Sequence, residues 1–258
     1  MQTVILCGGM GTRLKEETEF RPKPMVNVGQ YPILWHIMKI YAYYGLNDFV
    51  LALGYKGDMI KEFFFNYEFI NNDFTIELGA AHRTRIHPKH HEDWRVTLVN
   101  TGEKTLKGGR LKRIQKYISG NDFCLTYGDG LTDVNIKEVV AFHKKHGKTV
   151  TLTGVNIASR FGELKIDGDK VTQFAEKPED AHGFVNGGFM VLNTKIFDLI
   201  TEAEDCDLEY GPFEHLAKKG ELMVYKHKGN WACMDTLRDS EYLNNLWNKD
   251  QAFWKVWE

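Results

Sequence analysis

Apolar positions along the chain follow two rhythms, and the rhythms alternate. Thr3–Cys7 is a continuous apolar run of strand length that stops at Gly8-Gly9-Met10-Gly11. From Pro32 to Tyr44 the apolar residues Ile33, Leu34, Ile37, Met38, Ile40 and Tyr41 recur at helical spacing. Pro32 suits a first turn there and Gly45 a stop. Asp48–Leu53 predicts a second strand and Asp58–Tyr67 a second helix. Phe123–Tyr127 is a third strand, running into Gly128-Asp129-Gly130. Ile136–His146 is a helix closed by Gly147, and Thr149–Val155 a further strand. Strand, helix, strand repeated in this way predicts a mostly parallel sheet with right-handed crossovers.

Two stretches break the rhythm. Residues 74–109 mix β-type runs with His- and Arg-rich segments and predict no helix. Residues 161–192 predict short strands, with Asp167-Gly168 as a hairpin turn. From Thr236 to Glu258, Leu, Tyr and Trp alternate with charge, which predicts a helix over at least half of that length. No repeat, low-complexity tract or Pro/Ser-rich linker divides the chain. The expectation is one α/β domain over 1–258: a single Rossmann-like mixed, mostly parallel sheet flanked by helices, with a small β-rich insertion.

Composition narrows the class. At 258 residues with 43% hydrophobic and 26% charged positions, the chain can bury a full core and is not intrinsically disordered. Lys+Arg number 33 and Asp+Glu 35, a net charge of −2, which argues against a nucleic-acid binder driven by bulk charge. No apolar run approaches the ~20 residues of a membrane span, and the first residues carry no basic leader. Cys7, Cys124, Cys206 and Cys233 are far apart and form no CxxC, so reduced thiols in a cytoplasmic protein are expected.

The chemistry concentrates in Leu6-Cys7-Gly8-Gly9-Met10-Gly11-Thr12-Arg13-Leu14. A strand ending in glycines leaves backbone N–H groups exposed and lets a phosphate approach closely. Thr12 adds a hydroxyl and Arg13 a planar fork matched to phosphate oxygens. Lys23 stands between Pro22 and Pro24, which stiffen its position. The loop is not GxxxxGK[ST], and Leu14 occupies the place of the third glycine of a GxGxxG fingerprint. A plain tight turn is the structural alternative. Asp129 ends a predicted strand, where α/β sheets present ligands. Read locally, it could equally be a turn aspartate, and Asp235 a helix N-cap.

At these residues the sequence resembles the sugar-1-phosphate nucleotidyltransferases, whose signature is GGxGTRL followed by a PKP lysine. It looks most like the glucose-1-phosphate cytidylyltransferases. The likeness runs along the chain through Gly54-Tyr55-Lys56-Gly57, Gly108-Gly109-Arg110-Leu111-Lys112-Arg113, Tyr127-Gly128-Asp129-Gly130, Glu176-Lys177-Pro178, Asn186-Gly187-Gly188-Phe189 and Met234-Asp235-Thr236. The resemblance implies a glycosyltransferase-A-like fold, with a nucleotide part over about 1–130 and a sugar and oligomerisation part over about 131–258. It implies transfer of CMP from CTP to a sugar 1-phosphate, most simply α-D-glucose 1-phosphate, giving CDP-glucose and pyrophosphate for surface polysaccharide. It assigns Mg²⁺ to Asp129 and Asp235, and charge neutralisation to Arg13 and Lys23. The nucleotide would lie on Leu6 to Arg13 with Lys23, Thr105, Arg110 and Gly128. The sugar phosphate would lie against Tyr127, Glu176, Lys177, Asn186 and Gly187. Relatives of this branch are homo-oligomers, often hexamers.

Alternatives stay open at this point. Gly211 and Asn230 depart from the family pattern on the expected sugar side, so another phosphorylated acceptor fits the residues. A non-catalytic nucleotide-binding subunit is the reading from a different class. Taken alone, Arg110 could be a solvated arginine. The cluster His87, His90, His91 with Arg83, Arg85 and Lys89 suggests a basic lid or an oligomer contact rather than a metal site. The run Phe63-Phe64-Phe65 suggests core and interface, and Trp247, Trp254 and Trp257 a packed terminal segment.

Overall fold

The computed structural model describes residues 1–79, 83–89, 91–156, 163–167, 170–175 and 183–257. Its centre is an eight-stranded sheet. In chain order the strands are β1 (Thr3–Cys7), β2 (Asp48–Leu53), β3 (Arg95–Asn100), β4 (Asp122–Tyr127), β5 (Val150–Val155), β6 (Val185–Asn186), β7 (Met190–Asn193) and β8 (Leu222–His227). β1 lies between β2 and β4, parallel to both, and β3 extends β2 in parallel to form one edge. The other half is mixed. β7 runs antiparallel to β4, β5 runs antiparallel to β6 and β7, and β8 closes the second edge parallel to β5. The expected mixed, mostly parallel sheet is what forms: the half from β3 to β4 is wholly parallel, and antiparallel pairing enters with β6 and β7.

The central strands β1, β2 and β4 are buried on both faces, since side chains alternate across a strand and each face meets a core. Ile5, Cys7, Phe49, Leu51 and Cys124 pack into one core with Ile33, Ile37 and Met38 of α1 (Ile33–Tyr43). Val4, Leu6, Val50, Ala52, Phe123 and Leu125 face a second core with Leu111 and Ile196. Helix α2 (Gly57–Phe65) ends two residues earlier than its pattern suggests, and Tyr67–Asn71 forms a separate short helix. Helix α3 (Lys107–Arg113) was not expected, because Gly108-Gly109 reads as a helix breaker. Helix α4 (Ile136–His146) has its predicted bounds and ends at Gly147 with φ +64°. Helix α5 (Leu237–Asn248) is capped by Thr236 and Asp239 in a reciprocal box, so Asp235 is not its N-cap.

Small hairpins decorate the sheet. Glu163–Asp167 pairs with Lys170–Ala175 as the Asp-Gly signal predicts. Asp73–Glu77 pairs with Arg83–His87 and stands exposed, with Phe74, Ile76 and Leu78 facing solvent. The three C-terminal tryptophans fold back on this chain, Trp254 being fully buried against α1. Phe65 is 86% exposed, so the Phe63–Phe65 run is only partly core. All four cysteines are free thiols. Among the described residues no helix is long and apolar enough to cross a membrane.

Candidate active site

The C-terminal ends of β1 and β4 open onto a cleft of about 750 Å³. A larger groove of about 900 Å³ beside α2 is lined by Phe64, Tyr67 and Trp94 and carries no comparable chemistry. β1 delivers Leu6 and Cys7, and Gly8, Gly9 and Met10 continue along the wall. Gly11 sits at φ +63°, which an L side chain rarely adopts, and a Cβ there would strike Thr18. That turn sends the chain back so that Lys23 re-enters the cleft. Gly11 and Thr12 shape the loop without lining the cleft themselves.

Lys23 is the centre of the charge network. Its Nζ lies 2.7 Å from Asp129 Oδ2 and 2.6 Å from Asp235 Oδ1. Arg13, 72% exposed, reaches Asp235 Oδ1 at 2.9 Å. Two carboxylates from remote parts of the chain therefore converge on a single cation position. Burial alone would push the Lys23 ammonium down, but Asp129 and Asp235 outweigh it and hold its pKa above the ordinary value. Burial pushes Asp235 up, and the Lys23 hydrogen bond and charge more than reverse this, so it stays ionised below the usual range. The short antiparallel pairing of Gly130–Thr132 with Trp231–Cys233 supplies the geometry, for Met234 N donates to Asp129 O at 2.9 Å.

Arg110 is 4% exposed, which excludes a solvated arginine. Its Nη1 donates to Leu53 O, Thr101 Oγ1 and Gly102 O at 3.1, 2.9 and 2.6 Å. Its Nη2 donates to Gly8 O and Glu103 O at 2.9 and 3.0 Å. One guanidinium thus ties the ends of β1 and β2 to the loop after β3. Burial lowers its pKa from the ordinary arginine value. Thr105 is buried at the same wall, where its hydroxyl accepts from Arg113 at 2.8 Å.

On the opposite wall Tyr127 and Asn186 face the cleft. Asn186 Nδ2 donates to Tyr127 Oη at 3.0 Å, and Tyr127 donates to Glu209 Oε1 at 2.7 Å. Gly187 lies just behind the wall, its carbonyl accepting from Trp231 Nε1 at 2.8 Å. Glu176 and Lys177 lie outside the described residues. Sequence reasoning missed Lys107, Glu209, Trp231 and Cys233, all of which line the cleft. Only Cys233 and Trp231 carried a local signal, lying one and three residues before Met234-Asp235 and so close to the predicted metal carboxylate. None of the described residues of 83–95 lines the cleft. Asn230 turns away from the cleft: its Nδ2 donates to Asp133 Oδ2 at 2.8 Å and its backbone N–H to Asp133 Oδ1 at 2.9 Å.

A glycine-rich cradle, two cations and two carboxylates at one strand end suit the meeting of two polyanions. The comparisons with known proteins agree. The nucleotidyl transferase family model matches residues 2–244. A glucose-1-phosphate cytidylyltransferase from Salmonella typhi is 49% identical over 100% of both chains. A probable glucose-1-phosphate cytidylyltransferase from Bacillus subtilis is 43% identical, again over 100% of both. The crystal structure of a putative glucose-1-phosphate thymidylyltransferase from Bacillus anthracis superimposes with a TM-score of 0.68 over 95% of this chain and 94% of that one, at 19% identity. That structure attests the fold, and the full-length identities go further: the chain belongs to the nucleotidyl transferase family, in its glucose-1-phosphate cytidylyltransferase branch.

Proposed function

We propose that this protein transfers CMP from CTP to α-D-glucose 1-phosphate, giving CDP-glucose and pyrophosphate for surface polysaccharide synthesis. The observation that carries the reading is the convergence of Asp129, Asp235 and Lys23 at the mouth of the glycine loop. A phosphate oxygen of the sugar phosphate forms a bond to the α-phosphorus of CTP, and the bond to the β-phosphate bridge breaks in line. No covalent enzyme intermediate is needed. Backbone N–H groups of residues 8–10 cradle the triphosphate, and Lys23 and Arg13 neutralise its charge. Arg110 fixes the wall at the nucleotide end, and Tyr127 and Asn186 receive the sugar.

Asp129 and Asp235 fit Mg²⁺ by donor chemistry. Their oxygens already share one ammonium, and Mg²⁺ characteristically takes one or two carboxylates plus substrate phosphates. Among the described residues no cluster of three or more His, Cys, Asp or Glu would enclose an ion unaided. When bound, the ion supplies charge neutralisation on the phosphates. The presence of every charged part of the network, Arg13, Lys23, Asp129 and Asp235, speaks for an enzyme over a non-catalytic binding subunit.

The same reading includes a homo-oligomer. The exposed apolar residues Phe74, Ile76 and Leu78 on the 73–87 hairpin are surface that a second copy would cover. Sedimentation should then give a multiple of 29.8 kDa.

The test is pyrophosphate release with Mg²⁺ over CTP, UTP, dTTP, ATP and GTP against several sugar 1-phosphates. Release with CTP and glucose 1-phosphate alone is expected. Release with CTP and a different acceptor would overturn the acceptor, and silence with every pair from folded protein would overturn the reaction.

A further inference from the structure

Glu209 lies two residues before Gly211, where the sequence departs from the family pattern. It precedes a sharp kink, with Tyr210 extended and Gly211 at φ +98°. The segment leading to it is pressed against α3. A Cβ on Gly108 would come 2.4 Å from Asp207 O, and one on Gly109 would come 2.4 Å from Ala203 O. Gly109 N donates to Cys206 O at 2.9 Å and Leu106 N to Glu204 O at 2.7 Å. The two glycines therefore serve a backbone-to-backbone approach, and that approach carries Glu209 to the cleft.

There Glu209 Oε1 receives two donors, Tyr127 Oη at 2.7 Å and Lys107 Nζ at 2.6 Å. Lys107 also lies over the Tyr127 ring, 5.6 Å from its centroid. A tyrosine hydroxyl has one proton to give. With that proton committed to a carboxylate, which can only accept, Tyr127 Oη must accept from its other neighbour. That neighbour is Asn186 Nδ2 at 3.0 Å. The far end of the amide agrees, since Asn186 Oδ1 accepts from Gly188 N at 3.1 Å. The amide is thereby held with its nitrogen toward Tyr127, leaving its second N–H as the donor that Asn186 can offer a ligand.

We propose that Glu209 is a specificity-determining positioning residue: through Tyr127 it fixes the polarity of the Asn186 amide, so that the sugar side offers a hydrogen-bond donor to a hydroxyl oxygen of the hexose phosphate. This rests on the cytidylyl transfer proposed above. Glu209 itself need not touch the sugar. Its ion pair with Lys107 also joins the nucleotide wall to the sugar wall.

The test is steady-state pyrophosphate release by Glu209→Ala, Glu209→Gln, Tyr127→Phe, Asn186→Ala and the Glu209→Ala/Asn186→Ala double variant, each substrate being varied with the other saturating. Glu209→Ala should raise KM for glucose 1-phosphate by roughly tenfold while KM for CTP moves less than about twofold. Glu209→Gln keeps an acceptor for Tyr127 and should restore KM to within about threefold of wild type. The double variant should be no worse than the worse single variant by more than about twofold, because both act through one amide. Tyr127→Phe, which removes only the linking hydroxyl, carries the same expectation if the alanine variant fails to fold. Equal rises in both KM values, or effects that multiply in the double variant, would overturn the role of Glu209. A wild type silent with CTP and glucose 1-phosphate would instead overturn the functional reading, and the Glu209 role with it.

Discussion

Lys23 and His36 are buried titratable side chains on neighbouring segments, and the protein treats them in opposite ways. Lys23 is kept charged by Asp129 and Asp235, which outweigh the cost of burial. His36 is kept neutral. Burial drives its pKa down to about 4, against smaller opposing effects from backbone hydrogen bonds. Its ring is boxed by Trp35, Trp247, Trp254 and Trp257, with centroids between 4.7 and 6.2 Å away. Nε2 sits 2.9 Å from Val28 O and must donate, so Nδ1 accepts from Trp254 Nε1 at 3.3 Å. The lesson is about surroundings. Where carboxylates line a buried site, charge is retained for chemistry; where aromatic rings line it, charge is excluded for packing.

That contrast can be broken most forcefully at the carboxylates. Asp129→Asn and Asp235→Asn should each lower turnover by about a thousandfold while the thermal midpoint stays near that of wild type. A variant with near-full turnover would remove that aspartate from the chemistry. At the aromatic site the pattern should invert. Trp254→Ala should cost about 3–5 kcal/mol in denaturant unfolding, and the folded fraction should keep its turnover. A large fall in kcat at full folding would show that the cage serves the reaction after all.

Acid sharpens the comparison. Unfolded histidine titrates near 6.5, above the folded-state value of His36, so the unfolded chain takes the proton first. Stability from this site is complete above about pH 6.5 and is lost as pH falls toward 4, on the order of 3 kcal/mol in all. His143 and His146 are also lowered by burial and add to the same slope. The measurement is therefore the difference in unfolding free energy between wild type and His36→Gln across that range, and a pH-independent difference would contradict it. The smallest effect is expected at Asn230→Ala. Its side chain serves Asp133 rather than the cleft, so KM for glucose 1-phosphate should change by less than about threefold.

What could be read from the sequence was what is local. Strand β1, the glycine loop and the proline-flanked lysine announce themselves within a few residues, and β2 and α4 have their predicted bounds. Asp235 stood in a motif, although its partnership with Lys23 depends on the whole fold. Helix α3 stayed hidden because its glycines weaken helix propensity, and contact with Ala203–Asp207 supplies what propensity lacks. Glu209 was illegible for the same reason. Nothing near it in the chain says that Tyr127 and Lys107 await it. The departure at Asn230, which had cast doubt on the acceptor, proves to be a surface hydrogen bond to Asp133.

The order of strands has a consequence for biosynthesis. β1 is made first and ends up in the middle of the sheet, with β2 on one side and β4 on the other. On the ribosome one flank can be zipped once residues near 53 have emerged. The other stays open until those near 127 follow, a wait on the order of ten seconds at ordinary elongation rates. Through that interval the nascent sheet presents an unpaired apolar edge, whose protection falls to α1 or to a chaperone. The cation seat is completed later still, when Asp235 arrives.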